Sequence, residues 1–442
     1  MNIKLGKLWD SLHSSYWFIP TLMVLGAIVL SFVTITLDDS GINWIGEIRW
    51  TYSRGADGAR AILSVIAGSM ITVATTAFSI TIVALQLASS QFGPRLIRNF
   101  IQDIGNQIVL GTFIASFIYC LLILRTIQGG EEDEFLPQIS ITVGILLAVV
   151  SLAVLIYFIH HAAASIQAEN VIAEVGTTLI KSIERIFPEQ IGHGDSAVQQ
   201  QREQLEVPEH FYHEAVLVRA TSGGYLQAVD DQKLLKIAKA HNLLLHLRHR
   251  PGKFIVEGRE LVRVFPQERL NKRLTKKLND AFVIGHQRTE QQDIEFVVGQ
   301  LVEIAVRALS PGINDPFTAI SCIDRIGAGL CYLAERRSPS AYRYDDKQIL
   351  RVITNPVTFA ELTDIGFNQI RQYGQTSAAV TMRLLEMITI VAESVQNRDD
   401  RLALLRHATM IKRGCYEGLF EELDHKDVEA RYQAATKALR LA

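Results

Sequence analysis

Four long apolar segments lie within the first 161 of the 442 residues of this chain. A helix rises about 1.5 Å per residue, so each segment is long enough to cross a hydrocarbon core of about 30 Å. The segments are Trp17–Leu37, Ala61–Ala88, Ile108–Leu124 and Ile139–His160. The mean hydropathy of +0.17 is high for a soluble protein. We therefore predict an α-helical polytopic membrane protein with four transmembrane helices.

The charges of the short loops predict the orientation of these helices. Lys4 and Lys7 precede the first segment, and Arg95 and Arg98 lie between the second and the third. The acidic run Glu131–Glu134 lies in a loop on the opposite side. Because lysine and arginine concentrate in cytoplasmic loops, both termini are predicted to be cytoplasmic.

The rest of the chain is predicted to divide into three parts that follow the transmembrane domain at 1–161. Residues 162–210 predict an amphipathic connecting helix, which Pro188 ends, and then a linker. Residues 211–265 predict a small cytoplasmic α+β module with a hairpin across Ser222–Gly224. Residues 266–442 predict a mainly α-helical cytoplasmic domain.

The second apolar segment carries a narrow polar stripe. At 100° per residue, its positions fall within about 40° of one line. They are Ser64, Gly68, Thr72, Thr75, Ser79, Ile82, Gln86 and Ser90. Such a stripe can pack against another helix, at about 0.6–2 kcal/mol per interhelical hydrogen bond, or it can line an aqueous path. The positions from Ser64 to Gln86 are the candidate pore-lining residues, among which Ile82 would form a hydrophobic constriction.

Charged residues lie at both ends of this segment. Arg54, Asp57 and Arg60 precede it on the predicted outer side, and Arg95 and Arg98 follow it on the inner side. Rings of such charges at the mouths of an oligomeric pore would tune ion selectivity, and their signs favour anions. Ordinary snorkelling and positive-inside anchoring explain the same residues.

The loop that contains Asn314 and Asp315 also has two explanations. Asp315 suits a helix N-cap, and Pro316 suits the first helical position. Alternatively, Asn314 and Asp315 belong to a rigid cytoplasmic loop and contact a ligand or an ion.

Two further sets of polar residues also have both a functional and a structural explanation. One group lies at the start of a predicted helix and consists of Arg288, Glu290, Asp293 and Glu295. Its paired carboxylates suit acid–base chemistry, but acidic residues are also favoured in a first helical turn by the helix dipole. His160 and His161 end the fourth segment, where histidine can sense pH or bind an ion, or can be an ordinary interfacial residue.

No pattern in the chain indicates catalysis. The phosphate loop Gly-x-x-x-x-Gly-Lys-[Ser/Thr], the nucleophile elbow Gly-x-Ser-x-Gly and the zinc motif His-Glu-x-x-His are all absent, and the four cysteines form no Cys-x-x-Cys pair. We expect no catalytic residues, no metal site and no cofactor. The net charge of −2 gives no indication of nucleic acid. The expected partners are the lipid bilayer, further copies of the chain, and ions or a small solute.

Five long blocks of the sequence resemble one protein family. They are WDSLHSSYWFIP from Trp9, GADGARAILSVIAGSMITVATTAFSITIVALQLASSQFGPR from Gly55, GNQIVLGTFIASFIYCLLILR from Gly105, AVLIYFIHH from Ala153 and RALSPGINDPFTA from Arg307. These blocks are similar to the bacterial predicted membrane proteins that share domain of unknown function 2254. The resemblance covers nearly the whole chain and implies a multi-pass protein of the bacterial inner membrane with a cytoplasmic C-terminal region. It implies no activity and no functional residues.

Two functional hypotheses follow from these patterns. The first is a homo-oligomeric ion channel or pore-like conduit, lined by the polar stripe and assembled or gated by the cytoplasmic domain. The alternative is a membrane-anchored sensor or scaffold, in which the stripe only packs helices and the cytoplasmic domain binds a ligand or a protein. An enzyme would need a cytosolic cleft that the sequence does not reveal.

Overall fold

The computed structural model describes residues 16–40, 55–96, 100, 103–127, 135–187, 207–208 and 211–440. Contacts divide the chain into two compact units, Met1–Asn170 and Val171–Ala442. Arg54, Arg98 and most of the predicted linker lie outside the described residues.

Four long apolar helices make up the first unit in the part of the chain that is described. They are α1 (Phe18–Asp39), α2 (Ala56–Phe92), α3 (Ile104–Thr126) and α4 (Gln138–Ser165). Each coincides with one of the predicted segments, and each is long and apolar enough to cross a membrane. With 37 residues α2 is about 55 Å long, because its helix begins before Ala61 and continues beyond Ala88 until Gly93 ends it.

The helix α3 contacts α1, α2 and α4. Against its neighbours α2 turns a face of small side chains, which include Ala59, Ala67, Ala74, Ala77, Ala84 and Ala88. Alanine lets two helix backbones approach closely, which is how helices associate in lipid. The packing face of α2 is therefore made largely of alanines.

Buried polar groups join α1, α3 and α4. Tyr119 Oη lies 3.0 Å from Thr34 Oγ1 and donates to the Ser140 carbonyl at 3.1 Å. The Asp38 carboxylate accepts from the backbone N–H groups of Ile139 at 2.8 Å and Ser140 at 3.0 Å. The bonds to Asp38 satisfy backbone N–H groups in the first turn of α4, which have no partner within the helix.

The second unit contains two sheets and a helical region. Its helices are α5 (Ala168–Ile186), which begins just before the boundary between the units, α6 (Phe211–Glu214), α7 (Asp231–His241), α8 (Lys272–Asn279), α9 (Ile294–Ala308), α10 (Pro316–Ala334), α11 (Phe359–Gly374), α12 (Ala378–Ser394), α13 (Arg398–Gly418) and α14 (Glu422–Arg440), with a 3₁₀ turn at Gln267–Arg269. Its strands are β1 (Val216–Arg219), β2 (Gly224–Val229), β3 (Leu244–Leu247), β4 (Phe254–Ile255), β5 (Glu260–Phe265), β6 (Phe282–Gly285), β7 (Tyr342–Tyr344) and β8 (Leu350–Ile353). The sheet orders are β1-β5-β3-β8-β7 and β4-β2-β6.

The predicted hairpin across Ser222–Gly224 is wrong. Strand β1 pairs with β5, whereas β2 pairs with β4 and β6, so the two strands lie in different sheets. Gly224 has φ +143°, which L side chains rarely adopt, and a Cβ there would lie 2.6 Å from the Gly285 carbonyl oxygen. The glycine therefore serves the close approach of β2 to β6 rather than a turn between β1 and β2.

Three strands of these sheets, β6, β7 and β8, follow residue 265, where the predicted α+β module ends. Their shared core includes Leu274, Leu278 and Val352 together with residues of β1 to β5. Parallel pairing of β3 with β8 brings together residues that are about a hundred positions apart in the sequence. The division of the chain at 161, 210 and 265 stays a prediction.

The helices from α9 to α14 confirm the helical pattern predicted for this region. By length and composition α10 is a fifth candidate span. It contacts α9, α11 and α12. It also lies against α5, where a Cβ on Gly329 would lie 2.6 Å from Leu179 Cδ2. Its Asp324 pairs with Arg383 at 2.6 Å.

Candidate functional site

The polar stripe of α2 points away from the rest of its own bundle. Its candidate pore-lining residues are all exposed, namely Ser64, Gly68, Thr72, Thr75, Ser79, Ile82 and Gln86. The buried residues of α2 lie on the opposite, alanine-rich face. Packing of the stripe against α1, α3 or α4 of the same chain is therefore excluded.

The hydroxyl groups of the stripe bond to their own helix. Thr72 donates to the Gly68 carbonyl at 2.8 Å, Thr75 to Ile71 at 2.9 Å, and Ser79 to Thr75 at 2.9 Å. Such bonds lower the cost of placing a hydroxyl in lipid, and they leave its lone pairs able to accept from water. The Gln86 side chain is exposed and makes no hydrogen bond within the described residues.

Two positions of the stripe stand out. Gly68 has nothing within 4 Å of the place where a Cβ would lie, so the bundle itself does not require glycine there. Ile82 is 48% exposed, and the neighbouring Ile80, which lies off the stripe, is 44% exposed. The two isoleucines therefore differ in their direction around the helix and hardly in their burial within the chain.

The charged residues at the N-terminal end of α2 differ in their contacts and in their exposure. Arg60 Nη2 donates to the Ile127 carbonyl at 2.9 Å, at the C-terminal end of α3. Asp57 is fully exposed, and its carboxylate lies 3.9 Å from Arg60 Nη1. Arg60 thus ties α2 to α3. At the other end Arg95 is exposed.

A histidine–carboxylate pair joins α3 and α4, and sequence reasoning missed it. His161 Nε2 lies 2.6 Å from Asp103 Oδ2, and the His161 ring stacks on Tyr157 with 5.3 Å between centroids. Asp103 also caps α3 by accepting from the Gly105 N–H at 2.7 Å. A pattern search could not find the pair, because its two residues are 58 positions apart.

The loop before α10 has the geometry predicted for a helix cap. Asp315 Oδ1 accepts from the N–H groups of Phe317 and Thr318, both at 3.1 Å. The hydrogen bond from the Thr318 hydroxyl, and then these backbone bonds, lower the pKa of Asp315. Asn314 has φ +50°, in the left-handed region that asparagine tolerates better than most residues. Helix capping explains this geometry, which adds no support for the hypothesis that Asn314 and Asp315 contact a ligand.

A cavity of about 530 Å³ lies in the second unit, between the sheets and the start of α9. Its lining comes from the end of α5, the ends of β2 and β3, the residues around the N-terminus of α9, and the segments around β7 and β8. The charged residues among them are Arg185, Asp231, Arg250, Asp293, Glu295 and Arg343. Sequence reasoning did not predict this cavity.

Ion pairs neutralise the two carboxylates at the start of α9. Asp293 accepts from Arg288 at 2.7 and 2.8 Å and caps α9 through the Phe296 N–H at 3.0 Å. Glu295 pairs with Arg250 and with Lys253, the latter at 2.8 Å. Burial would raise the pKa of Glu295, but the hydrogen bonds from Lys253 and Arg250 outweigh it and lower the pKa. These contacts give both carboxylates structural roles.

The described residues contain no group of three or more histidine, cysteine or acidic side chains that could hold a metal ion. The prediction of no metal site and no cofactor stays a prediction.

Residues 13–389 match the family described as predicted membrane proteins with domain of unknown function 2254. This chain belongs to that family. Uncharacterized proteins of Mycobacterium bovis and Mycobacterium tuberculosis are 32% identical to it over 443 residues, which covers 97% of this chain and 82% of each relative. No solved structure matches. The family resemblance of the five sequence blocks is thereby confirmed.

Proposed function

We propose that the protein is a homo-oligomeric ion conduit of the bacterial inner membrane, lined by the polar stripe of α2. The observation that carries this proposal is the direction of the stripe, which faces away from α3 and α4 while the alanine face packs inward. In this proposal the stripe contacts either a second copy of the chain or water. Lipid is a poor partner for Gln86, because an amide without hydrogen bonds in hydrocarbon costs several kcal/mol.

Gly68 supports the oligomer. Glycine within a helix costs about 0.5–1 kcal/mol relative to alanine, and the bundle of one chain has open space at this position. Small residues on a membrane helix allow close approach of a second helix. If α2 packs against α2 of a neighbouring copy, Gly68 allows the two helices to approach closely. Packing within one chain does not require glycine at this position.

The remaining residues of the stripe suit a gated aqueous path. A serine or threonine hydroxyl can exchange between its own helical carbonyl and passing water or ions. Ile82 would narrow and dry the path at one level, in the manner of a hydrophobic gate. Arg95, at the predicted cytoplasmic end, would attract anions.

The proposed topology has α1 to α4 crossing the membrane and both termini in the cytoplasm. We place α10 outside the membrane, although its length and composition allow a span. Asp324 of α10 pairs with Arg383, and Arg325 lies so near that a Cβ on Gly176 would be 2.9 Å from its Cδ. Helices of the second unit cover its apolar face, as in the core of a soluble domain.

The experiment is ion flux through the full chain reconstituted in liposomes, with its oligomeric mass measured in nanodiscs. Gln86→Leu should change flux and anion–cation selectivity. Gln91→Leu is the matched control, because Gln91 is also exposed but lies off the stripe. A monomer without flux, or equal effects of the two variants, would contradict the proposal.

A second candidate function is a membrane-anchored sensor or scaffold, and the cavity of the second unit favours it. In that case substitutions in the stripe would alter stability and leave permeability unchanged.

A further inference from the structure

We propose that the cavity of the second unit binds a small organic phosphate, held through its phosphate by Arg185 and Arg343. This site is separate from the proposed conduit, and its test requires no conductance. A cavity of about 530 Å³ lies within the range of about 300–1,000 Å³ that is common for small-molecule sites.

The positive charge available in the cavity comes from two arginines. Arg185 donates to the Glu290 carbonyl at 2.7 Å, and Arg343 donates to the carbonyls of Ser340 and Tyr342. Neither lies within ion-pair distance of a carboxylate among the described residues, although Arg343 interacts electrostatically with Asp231. Arginine offers several N–H donors in a planar fork, so a guanidinium that already bonds a carbonyl can still bind phosphate oxygens.

The other charges of the lining are largely compensated. Arg250, Asp293 and Glu295 are committed to ion pairs, and burial lowers the pKa of His249, which is therefore neutral at pH 7. Asp231 also lines the cavity and offsets part of the positive charge. Two guanidinium groups against the one carboxylate of Asp231, which interacts electrostatically with Arg343, leave the cavity with an excess of positive charge that suits an anion.

The apolar part of the lining explains why the ligand should be organic. Aliphatic and proline side chains from several elements face the same space, and they are Ile186, Val229, Leu247, Pro251, Pro356 and Val357. Inorganic phosphate would fill only a small part of this volume and leave these side chains without contact. A ligand with a phosphate at one end and a ring or chain at the other satisfies both surfaces, and Asn355 adds a neutral donor and acceptor.

The test is titration of the full chain in nanodiscs with adenosine monophosphate, adenosine and inorganic phosphate, followed by calorimetry and thermal unfolding. Adenosine monophosphate should bind and raise the Tm, and adenosine should bind at least about tenfold more weakly, because it lacks the charged group. Inorganic phosphate should compete weakly. Equal binding of adenosine and its monophosphate, or no binding of the monophosphate, would overturn the proposal.

The variants Arg185→Gln and Arg343→Gln should each weaken binding by about tenfold or more. Arg259→Gln is the matched control, because Arg259 is exposed and does not line the cavity. Arg343→Lys keeps the charge and, with an unchanged Tm without ligand, shows that the fold survives at this position. Unchanged affinity in both glutamine variants would overturn the proposal.

A lipid headgroup could supply the same phosphate chemistry. Nanodiscs of phosphatidylglycerol should suppress binding of adenosine monophosphate, relative to phosphatidylcholine nanodiscs, if a lipid occupies the site. Equal binding in both shows that phosphatidylglycerol does not occupy the site. Either result retains the phosphate site, provided that the arginine variants respond as stated.

Discussion

His161 Nε2 lies 2.6 Å from Asp103 Oδ2, which links the last turns of α4 to the N-cap of α3. The same carboxylate accepts from the Gly105 N–H. A Cβ on Gly105 would lie 2.7 Å from His161 Nε2, so the close approach of the two helices depends on this glycine. The pair therefore combines a helix cap with a contact between helices.

Asp103→Ala should destabilise the bundle by about 1–2 kcal/mol, because it removes both the cap and the partner of His161. His161→Ala should cost less, since the cap remains. Thermal unfolding of the full chain in detergent measures both effects, and His160→Ala is the control because His160 is exposed. Equal Tm values for Asp103→Ala and His160→Ala would refute this role.

The four apolar helices could be predicted from the sequence, because length and apolar character alone determine whether a helix can span a bilayer. The helices of the second unit were predictable from their 3.6-residue periodicity, as α11 and α12 illustrate. Contacts between residues that are distant in the sequence could not be predicted in this way. The cavity joins Arg185 to Arg343, and β3 pairs with β8, across separations that no local pattern encodes.

The polar pattern alone left the outward direction of the stripe open. Periodicity places Ser64 and Gln86 on one face of α2 but does not say which face packs. The alanines on the opposite face carry that information, because Ala67 and Ala84 fit a close helix contact. Weighing small apolar residues as heavily as polar ones would have identified the packing face.

Gly68→Leu should weaken the oligomer without harming the fold of one chain, because open space surrounds Gly68 within its own bundle. Gly144→Leu is the contrasting variant, since even a Cβ there would lie 3.0 Å from Leu63 Cδ2. It should lower the Tm. Native mass and Tm, measured on both variants, separate the two effects. An intact oligomer in Gly68→Leu would show that this face is no interface.

Asp315→Ala should destabilise the second unit by about 0.5–2 kcal/mol through loss of the cap of α10. Asp315→Asn should restore most of this loss, because asparagine also caps helices well. Asn314→Gly should be neutral, as glycine tolerates φ +50°. Tm measurements check all three variants. A Tm of Asp315→Asn as low as that of Asp315→Ala would indicate that the negative charge itself is needed.

Glu295→Gln should destabilise the protein by about 1–3 kcal/mol at pH 7 by removing charge-assisted bonds to Arg250 and Lys253. The pKa of Glu295 is lowered on folding. Its stabilisation is therefore complete above the unfolded pKa of about 4.3 and is lost as the pH falls through the folded pKa. The Tm difference between wild type and variant should shrink below about pH 4. A difference independent of pH would contradict this assignment.

The most direct test of the conduit is a comparison of Ile82→Ser with Ile80→Ser by ion flux in liposomes. Both isoleucines are exposed to a similar extent, and only Ile82 lies on the stripe. The proposed gate predicts that Ile82→Ser raises the leak several-fold, because a polar side chain would wet the constriction, and that Ile80→Ser leaves it unchanged. Equal flux in the two variants, or no flux in wild type and Ile82→Ser, would contradict a path along α2.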